Sequence, residues 1–353
     1  MSEIATQVVF PERGVIRVEQ HPVPAPGPEQ IVIRVRRVGI CATDLHLLEG
    51  HIGDPFPLVP GHEFVGEVVA IGPDAAASRG LGIGDRVSVE MLLPCRTCSR
   101  CREGRYNLCE RDLDPTRPAG RQLGVNIPAD AGGRFSGGYA THLLVPAEAI
   151  VHRLPDTLPW DVAVLVEPLA VAFRTLSRGR VTAGERVTVI GPGPVGLLVT
   201  AAARSVGAEV TVRGTRPERL EMALAMGADQ VALSSSPLPA DADVSIECAG
   251  TPDAQAQAIR AVRRGGRVVL AGACGSGRRL SVDPDDDLLT REIDLLPSFL
   301  SAHGYEPAVA LLTREPARFA PLVTHRFALA DVAEAFEAVR DRSRGVMKAV
   351  LVP

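Results

Sequence analysis

The sequence feature that most constrains the fold is a glycine-rich turn, Gly191-Pro-Gly193-Pro-Val-Gly196, which directly follows the apolar segment RVTVI and opens a helical segment. The GxGxxG spacing is informative in that context. Gly191 allows a tight turn, Gly193 lets the backbone approach a pyrophosphate, and Gly196 lets the helix pack closely on the strand. Pro194 and Val195 start the helix, whose free amides and positive dipole end favour phosphate. We therefore predict a dinucleotide site here, in preference to accidental spacing in a Gly/Pro loop.

The segments on either side of this turn predict the fold class. After Pro155 the chain alternates between β-like and helical stretches, from RVTVI and VGLLVTAAARSVGA to EVTVR, PERLEMALAMGAD, DVSIECAG and RRGGRVVLAGA. Such alternation indicates an α/β fold with a parallel sheet. Residues 4 to 90 instead read as short β segments between Gly and Pro turns. A chain of 353 residues exceeds the usual size of one hydrophobic core, so we expect two domains. Near the end we predict one helix over residues 325–341 and a terminal strand.

The residues after the second strand of this series bear on the cofactor. An NAD-binding fold carries an acidic residue there for the adenosine ribose. Here the strand EVTVR ends in Gly214, Thr215 and Arg216, and Arg219 follows one helical turn later. No carboxylate stands at this point to repel a 2′-phosphate, and arginine pairs well with phosphate. We predict NADP over NAD; the alternative is that Arg216 and Arg219 are solvated residues at a helix start.

Four cysteines lie within fifteen residues, namely Cys95, Cys98, Cys101 and Cys109. Their C-x2-C-x2-C-x7-C spacing lets four thiolates complete a tetrahedral zinc shell. A closed shell leaves no position for a substrate, so we predict a structural zinc that orders a loop lobe over about residues 91–115. An iron–sulfur cluster or a redox disulfide pair is the alternative.

Three separate segments carry further metal-type side chains: Cys41 in GICATDLH, His62 and Glu63 in PGHEFVGEV, and Glu167 in VEPLAV. Each is weak alone, because a lone cysteine is usually a small buried hydrophobe and a lone histidine or glutamate usually has a structural partner. Together with a four-cysteine motif and a dinucleotide turn, they form a candidate catalytic set.

Composition narrows the classes of function. The net charge of −4 gives no basic footprint for nucleic acid or an anionic membrane. The longest uncharged apolar run, residues 187–203, is interrupted by glycine and proline and does not read as a membrane helix. The segment MSEIATQVVF lacks a secretory pattern, so a cytoplasmic location is expected. Lys348 is the only lysine, which we interpret as composition bias.

These motifs resemble the zinc-containing medium-chain dehydrogenase/reductase family from about residue 10 to the C-terminus. The resemblance is carried, in the family's order, by GICATDLH, GHEFVGEVVAIG with DRVSVE after it, the four-cysteine lobe, VEPLAVAF and GPGPVG. It implies a β-rich GroES-like catalytic domain made of residues 1–160 and 298–353. It also implies a Rossmann domain, a doubly wound parallel sheet, over residues 161–297.

In that family, the residues that match Cys41 and His62 bind the catalytic zinc. The third position varies: members that act on simple alcohols have a cysteine near the place of Glu167, whereas the polyol, threonine and glucose dehydrogenase branch has Glu-Pro, as in Glu167-Pro168. The resemblance to this branch implies that Glu63 and Glu167 can each approach the metal. We expect Cys41, His62 and Glu63 as resting ligands, with Glu167 as an exchangeable ligand or a partner behind them.

The same resemblance implies a proton relay. A zinc with three protein ligands keeps an open position for the substrate oxygen and favours the alkoxide. Thr43 matches the residue that contacts that oxygen, the nicotinamide ribose passes the proton on, and His46 releases it near neutral pH. The alternative for His46 is a packing or capping role.

We therefore predict a zinc enzyme with one catalytic and one structural ion that transfers hydride between NAD(P) and a polar secondary alcohol or its ketone. Polyols, sugars, aminocyclitols and amino alcohols are the expected substrates, and simple alcohols are an alternative. Two other functions stay open: a zinc-independent enone or quinone reductase of the same fold, and a non-catalytic nucleotide-binding protein. The resemblance also implies a homodimer or homotetramer.

Overall fold

The computed structural model describes residues 3–111, 121–129 and 134–353. The chain divides into two compact units, Met1–Glu167 with Leu312–Pro353, and Pro168–Leu311. The sequence analysis predicted the domain boundaries after residues 160 and 297, whereas these units divide after residues 167 and 311. Residues 112–115 of the predicted cysteine lobe lie outside the described residues.

The N-terminal part of the chain is mainly β structure with short helices. Its elements are β1 (Ile4–Val9), β2 (Arg17–Pro22), β3 (Ile31–Gly39), α1 (Ala42–Leu48), β4 (Glu63–Ile71), α2 (Pro73–Arg79), β5 (Arg86–Val89), α3 (Ser99–Arg102), β6 (His142–Val145), β7 (Val151–Arg153) and α4 (Trp160–Ala163). Helix α5 (Val166–Gly179) then leads into the second unit.

The second unit alternates strands and helices as the sequence predicts. Its elements are β8 (Arg186–Ile190), α6 (Pro194–Ser205), β9 (Glu209–Gly214), α7 (Pro217–Ala225), β10 (Gln230–Leu233), β11 (Ala242–Glu247), α8 (Pro252–Ala261), β12 (Val262–Leu270), β13 (Asp294–Pro297) and α9 (Tyr305–Arg314). The chain then continues through α10 (Pro316–Phe319), β14 (Val323–Ala328), α11 (Val332–Arg340) and β15 (Lys348–Val352). Single-turn helices occupy Tyr106–Leu108, Pro284–Leu288, Leu289–Arg291, Ala320–Leu322, Leu329–Asp331 and Arg342–Arg344.

The six strands of the second unit form one parallel sheet in the order β10-β9-β8-β11-β12-β13. This is the doubly wound order, with β8 in the centre and the winding reversed between β8 and β11. Helix α6 is apolar nearly throughout, and Leu197, Leu198 and Val199 are fully buried. Burial of each such side chain stabilises the fold by about 1.5–3 kcal/mol. The predicted doubly wound α/β domain is confirmed, and its glycine turn lies at the carboxyl end of the central strand.

The first unit contains a seven-stranded sheet and a two-stranded one. The larger sheet has the path β14-β15-β3-β4-β5-β7, with β6 paired to β3, and β1 pairs with β2. Strand β3 is central, because its near-continuous apolar run IVIRV is buried between β15, β4 and β6. The ends of β3, β4 and β15 carry the candidate site described below.

One part of the sequence-based secondary structure is wrong. Residues 325–328 belong to strand β14, and the helix predicted over 325–341 begins only at Val332. The segment VTHRFA alternates between inward and outward residues, and it pairs in parallel with β15. Residues 325–328 are extended because they pair with β15, a strand that comes later in the chain. The local sequence pattern does not reveal this pairing.

Across the part of the chain that the structure describes, every helix is too short or too polar to cross a bilayer.

An ion-pair cluster joins three elements of the first unit. The Asp161 carboxylate in α4 accepts from Arg37 Nε in β3 at 2.5 Å and from Arg326 Nε in β14 at 2.8 Å. Burial opposes ionisation of Asp161, but the two guanidinium groups lower the pKa of this carboxyl. Its ionised form therefore stabilises the folded chain at neutral pH, and this contribution is lost as the pH falls through the lowered pKa.

We predict that Asp161→Asn lowers the free energy of unfolding by about 1 kcal/mol at pH 7, because both charge-assisted hydrogen bonds weaken. The difference from the parent chain should shrink as the pH falls below about 4, where the parent carboxyl is protonated in the unfolded state. Thermal unfolding of both chains across this pH range measures it. An equal difference at every pH would show that shape, and not charge, is what Asp161 contributes.

Candidate active site

Three predicted metal ligands come together at the ends of two elements in the first unit. Cys41 immediately precedes α1, His62 immediately precedes β4, and Glu63 is the first residue of β4. One ligand atom from each lies within 4.8 Å of the other two. His62 and Glu63 are buried and Cys41 is half-buried. A thiol, an imidazole and a carboxylate thus converge although 20 residues of sequence separate Cys41 from the other two.

The carboxylate of Asp44, which is fully buried, holds this arrangement together. Its Oδ2 accepts the Cys41 backbone amide at 2.8 Å and the Tyr139 hydroxyl at 2.9 Å. Its Oδ1 lies 3.5 Å from His62 Nδ1. A carboxylate at one ring nitrogen of histidine fixes the ring orientation and leaves the other nitrogen for a metal. Asp44 therefore caps the N-terminus of helix α1 and also orients the His62 ring.

The electrostatics of this cluster favour positive charge. Burial acts to lower the pKa of His62, yet the nearby Asp44 carboxylate and Cys41 thiol raise that pKa well above its usual value. Burial and the same Asp44 carboxylate raise the pKa of Tyr139, which stays a neutral hydrogen-bond donor. A site that holds a proton on a buried histidine in this way is equally suited to a cation bound by neutral imidazole.

Glu63 is paired with Lys348, the only lysine of the chain. Both side chains are almost fully buried, and the Lys348 ammonium also donates to the Ile40 carbonyl at 3.2 Å. Burial acts to lower the pKa of Lys348, but Glu63 and Cys41 raise it, so the lysine stays charged. The two residues begin β4 and β15, the strands on either side of β3.

Gly39 makes this pairing possible. It lies opposite Glu63 in the β3–β4 register and opposite Val350 in the β15–β3 register. A Cβ at this position would collide with Glu63 Oε2 and would lie 2.8 Å from Lys348 Cε. The two long side chains meet across β3 because its last residue has no side chain.

The other predicted catalytic residues surround this group. Thr43 lies in the first turn of α1, with its Oγ1 3.6 Å from Cys41 Sγ, and His46 lies one turn later, partly exposed. Glu167 is buried at the start of α5 and contributes to the raised pKa of Lys348. Among the described residues, the group of mutually close ligand atoms contains Glu63 and not Glu167.

The four lobe cysteines also converge. Their sulfur atoms all lie within 4.8 Å of one another, and the Cys95 and Cys101 sulfurs are 3.9 Å apart. Tetrahedral zinc with zinc–sulfur bonds of about 2.3 Å requires sulfur atoms about 3.8 Å apart. All four thiols are free of disulfide bonds. The donor set and its spacing fit a closed metal site.

Backbone amides support the lobe thiolates. Amides of Cys98 and Cys101 donate to the sulfurs of Cys95 and Cys98 at 3.3 and 3.5 Å, and the Cys95 amide donates to Cys109 Sγ at 3.4 Å. Hydrogen bonds from the Thr97 hydroxyl and the Cys98 amide lower the pKa of Cys95 to about 5. Burial raises the pKa of Cys101 to about 12. A metal ion would be needed to hold all four as thiolates.

The glycine turn of the second unit has the geometry that its spacing predicts. Gly191 has a left-handed φ of 98°, and Pro194 is the first residue of α6, followed by Val195. A Cβ on Gly196 would collide with the Gly191 carbonyl, so helix and strand need glycine there. A Cβ on Gly193 would meet only the Arg219 side chain, with Nη1 at 3.8 Å. The backbone at Gly193 is therefore open for close approach, with a guanidinium beside it.

The residues after β9 surround the same turn. Gly214 ends β9 and packs against Pro192, since a Cβ on Gly214 would lie 2.6 Å from Pro192 Cδ. Thr215 is exposed, and Arg216 is the half-buried cap residue of α7. The predicted cofactor residues of both segments are thus neighbours in the second unit.

Comparison with known proteins decides the family. Residues 27–156 match the Alcohol dehydrogenase GroES-like domain, and residues 194–314 match the Zinc-binding dehydrogenase domain. Sorbitol dehydrogenase of Ovis aries is 34% identical over 342 residues, which cover 92% of this chain and 90% of the sheep protein. The chain belongs to the zinc-containing medium-chain dehydrogenase/reductase family. The resemblance drawn from the motifs is confirmed, and with it the GroES-like and Rossmann fold assignment.

Two similar solved structures cover the chain completely. One is a protein of Sinorhizobium meliloti 1021, assigned as a zinc-binding dehydrogenase and bound to NADP, with a TM-score of 0.86 and 28% identity. The other is described as a short chain alcohol dehydrogenase of E. coli CFT073 in complex with NADH, with a TM-score of 0.84 and 25% identity. Each likeness covers 100% of both chains.

Sequence reasoning missed three residues of the candidate site: Asp44, Tyr139 and Lys348. Asp44 carried a signal, because an acidic residue three positions after a helix-start residue is typical of an N-terminal cap. Lys348 carried another, since a single lysine in a chain whose other basic residues are all arginine requires a reason beyond composition bias. Tyr139 lies 95 positions from its partner, and no local pattern reveals such a contact.

We predict that Asp44→Asn weakens metal binding at the Cys41–His62–Glu63 group by roughly 10- to 100-fold, the usual cost of losing a carboxylate behind a metal-bound histidine. The measurement is a competitive chelator titration of zinc-loaded protein. Tyr139→Phe is the matched control: it removes one hydrogen bond to Asp44 but keeps the carboxylate beside His62, so its effect should be much smaller. Equal affinities for Asp44→Asn and the parent would remove Asp44 from the site.

Proposed function

We propose that the chain is a zinc- and NAD(P)-dependent dehydrogenase that interconverts a polar secondary alcohol and its ketone. The observation that carries the proposal is the grouping of Cys41, His62 and Glu63, buried and backed by Asp44. The sorbitol dehydrogenases among its relatives support a polyol or related substrate.

The donor set suits zinc. Sulfur, nitrogen and oxygen ligands together are typical of a catalytic zinc with three protein ligands and an open fourth position. Zinc in this site would supply a Lewis acid that stabilises negative charge on the substrate oxygen. Cys41, His62 and Glu63 would hold the ion at rest. Glu167, buried and close enough to influence Lys348, would be the exchangeable carboxylate.

The chain's own residues supply the other steps. Lys348 offsets the charge of the buried Glu63 carboxylate through their ion pair. The Thr43 hydroxyl, beside Cys41, would accept the alcohol proton at Oγ1 as it gives up its own hydroxyl proton to the relay that ends at His46. His46, partly exposed on the next turn of α1, would pass that proton to water.

We also propose a structural zinc held by Cys95, Cys98, Cys101 and Cys109. The sulfur spacing supports it, and so does the low share of regular structure over residues 91–111, the described part of this lobe, where one four-residue helix and one single turn occur. Four thiolates around one ion leave no position for a substrate. An iron–sulfur cluster has the same ligands and would be distinguished by iron content and colour.

For the cofactor we propose NADP. Arg216 and Arg219 lie at the start of α7, and the Arg219 guanidinium is beside Gly193 in the dinucleotide turn. Guanidinium groups at this edge favour a 2′-phosphate, whereas NAD binding uses a carboxylate there. The two related structures bind NADP and NADH respectively, so family likeness alone does not select one. A homodimer or homotetramer and a cytoplasmic location stay predictions.

The decisive test is a screen of purified protein against polyols, aminocyclitols and amino alcohols with NAD and NADP in parallel. We predict cofactor reduction that disappears after chelation and returns with Zn²⁺. Cys41→Ser should lower kcat/KM by at least about 1,000-fold, because a zinc ligand is weakened, while reduced cofactor still binds. A binding protein would show cofactor affinity without turnover, and a zinc-independent reductase would keep its rate in Cys41→Ser.

A second prediction concerns cofactor choice. Arg216→Ser and Arg219→Ser should each raise KM for NADP by about tenfold or more, since a hydrogen bond to a charged group contributes about 1.5–3 kcal/mol. KM for NAD should change little. Arg264→Ser, an exposed arginine in the same unit, is the matched control. Equal changes with both cofactors would contradict contact with the 2′-phosphate.

A further inference from the structure

A second group of metal-type side chains lies at the other end of helix α1. His46, Glu49 and His51 each place one ligand atom within 4.8 Å of the other two. The two histidine Nδ1 atoms are 3.5 Å apart, and His51 Nδ1 lies 3.3 Å from Glu49 Oε2. His46 is partly exposed and the other two are exposed, so a solvated ion has free access.

The helix end creates this group. Gly50 has a left-handed φ of 71°, its amide donates to Leu47 O at 2.9 Å, and the His51 amide donates to His46 O at 2.8 Å. These two hydrogen bonds form a Schellman motif, which turns the chain back over the last helical turn. His46 and Glu49 are three residues apart and share a helix face. The backbone therefore brings His51 to the same face without any contribution from a ligand.

The spacing and donor types match a divalent metal. With metal–nitrogen bonds of about 2.0–2.1 Å, tetrahedral ligands lie about 3.3–3.4 Å apart. The observed separations of 3.5 and 3.3 Å are close to this edge length. Two imidazoles and one carboxylate are also the protein ligands of well-known zinc sites, and imidazole suits nickel and copper too.

Arg340 orients the carboxylate of Glu49. Its Nη2 donates to Glu49 Oε1 at 3.1 Å, while Oε2 is the oxygen that faces His51. Arg340 is itself held by Glu337 at 2.9 Å. A positioned carboxylate with one oxygen directed at the histidines resembles the support that metal ligands usually receive from residues behind them.

We propose that His46, Glu49 and His51 form a third metal site, selective for Ni²⁺, Cu²⁺ or Zn²⁺ over Mg²⁺ and Ca²⁺, that is separate from both predicted zinc sites. Its regulatory consequence rests on the proposed function: a metal on His46 withdraws that imidazole from proton release. Excess metal would then inhibit the enzyme, and removal of the excess would restore it.

Titration with Ni²⁺ of protein loaded with two Zn²⁺ per chain tests the site, with calorimetry as the readout and zinc analysis to exclude displacement. We expect one Ni²⁺ per chain beyond the zinc content. Loss of a residue that only supports a metal ligand already costs roughly tenfold or more in metal affinity. We therefore expect His51→Ala, which removes a ligand, to weaken Ni²⁺ binding by more than about tenfold. Glu49→Gln should weaken it as well. His325→Ala, a histidine in β14 outside the group, is the matched control and should bind Ni²⁺ like the parent.

The turnover arm adds a second readout. Ni²⁺ should inhibit the parent enzyme and the His325→Ala variant at concentrations that leave His51→Ala unaffected. The site does not exist if the parent binds Ni²⁺ no more tightly than His51→Ala, in which case the two imidazoles form only a hydrogen-bonded pair. Metal binding without inhibition would overturn the regulatory role. If the protein has no dehydrogenase activity, the calorimetric arm still decides the site, so failure of the proposed function is distinguishable.

Discussion

The buried carboxylate of Asp44 is the interaction on which the candidate zinc site depends. A charged group without water costs several kcal/mol unless hydrogen bonds replace its hydration. Here the hydrogen bonds come from the Cys41 amide and the Tyr139 hydroxyl, both to Oδ2, while Oδ1 lies in ion-pair contact with the His62 ring at 3.5 Å. Satisfying one carboxylate therefore fixes the start of α1 relative to the start of β4. The thiol and the imidazole are brought together by the fold itself, which lowers the entropy that a metal would otherwise have to overcome.

Charge balance explains the rest of the site. With a zinc ion bound, a Cys41 thiolate and a Glu63 carboxylate would supply two negative charges beside a neutral His62 imidazole, which matches the charge of a divalent ion. Lys348 adds a buried positive charge on the far side of Glu63, across the glycine that ends β3. The carboxylate thus lies between an ammonium group and the metal position. The Glu63 carboxylate and, to a smaller extent, Glu167 raise the pKa of Lys348 and so keep this counter-charge in place.

Much of the fold, and the convergence of the candidate ligand residues, was predictable from the sequence because most of the relevant signals are local. The glycine turn needs backbone freedom at fixed spacing, and the four cysteines are close enough in sequence to define one metal shell. Cys41, His62 and Glu63 were found through motifs of the family rather than through pattern alone. Strand β14 and the contacts of Tyr139 and Lys348 were missed, because they depend on segments that meet only after folding. The helix end at Gly50 was readable in principle, since glycine after a helix is typical of this cap.

The isolation of Lys348 has a practical consequence. It is the only lysine in the sequence, and its side chain is 4% exposed. In the folded protein, an acylating reagent would therefore find no accessible side-chain amine. Modification of this residue requires the ends of β15 and β3 to separate, which is the same motion that would take Glu63 away from its partner. Labelling of a single ε-amino group would then report opening of the catalytic region alone, with no background from other lysines.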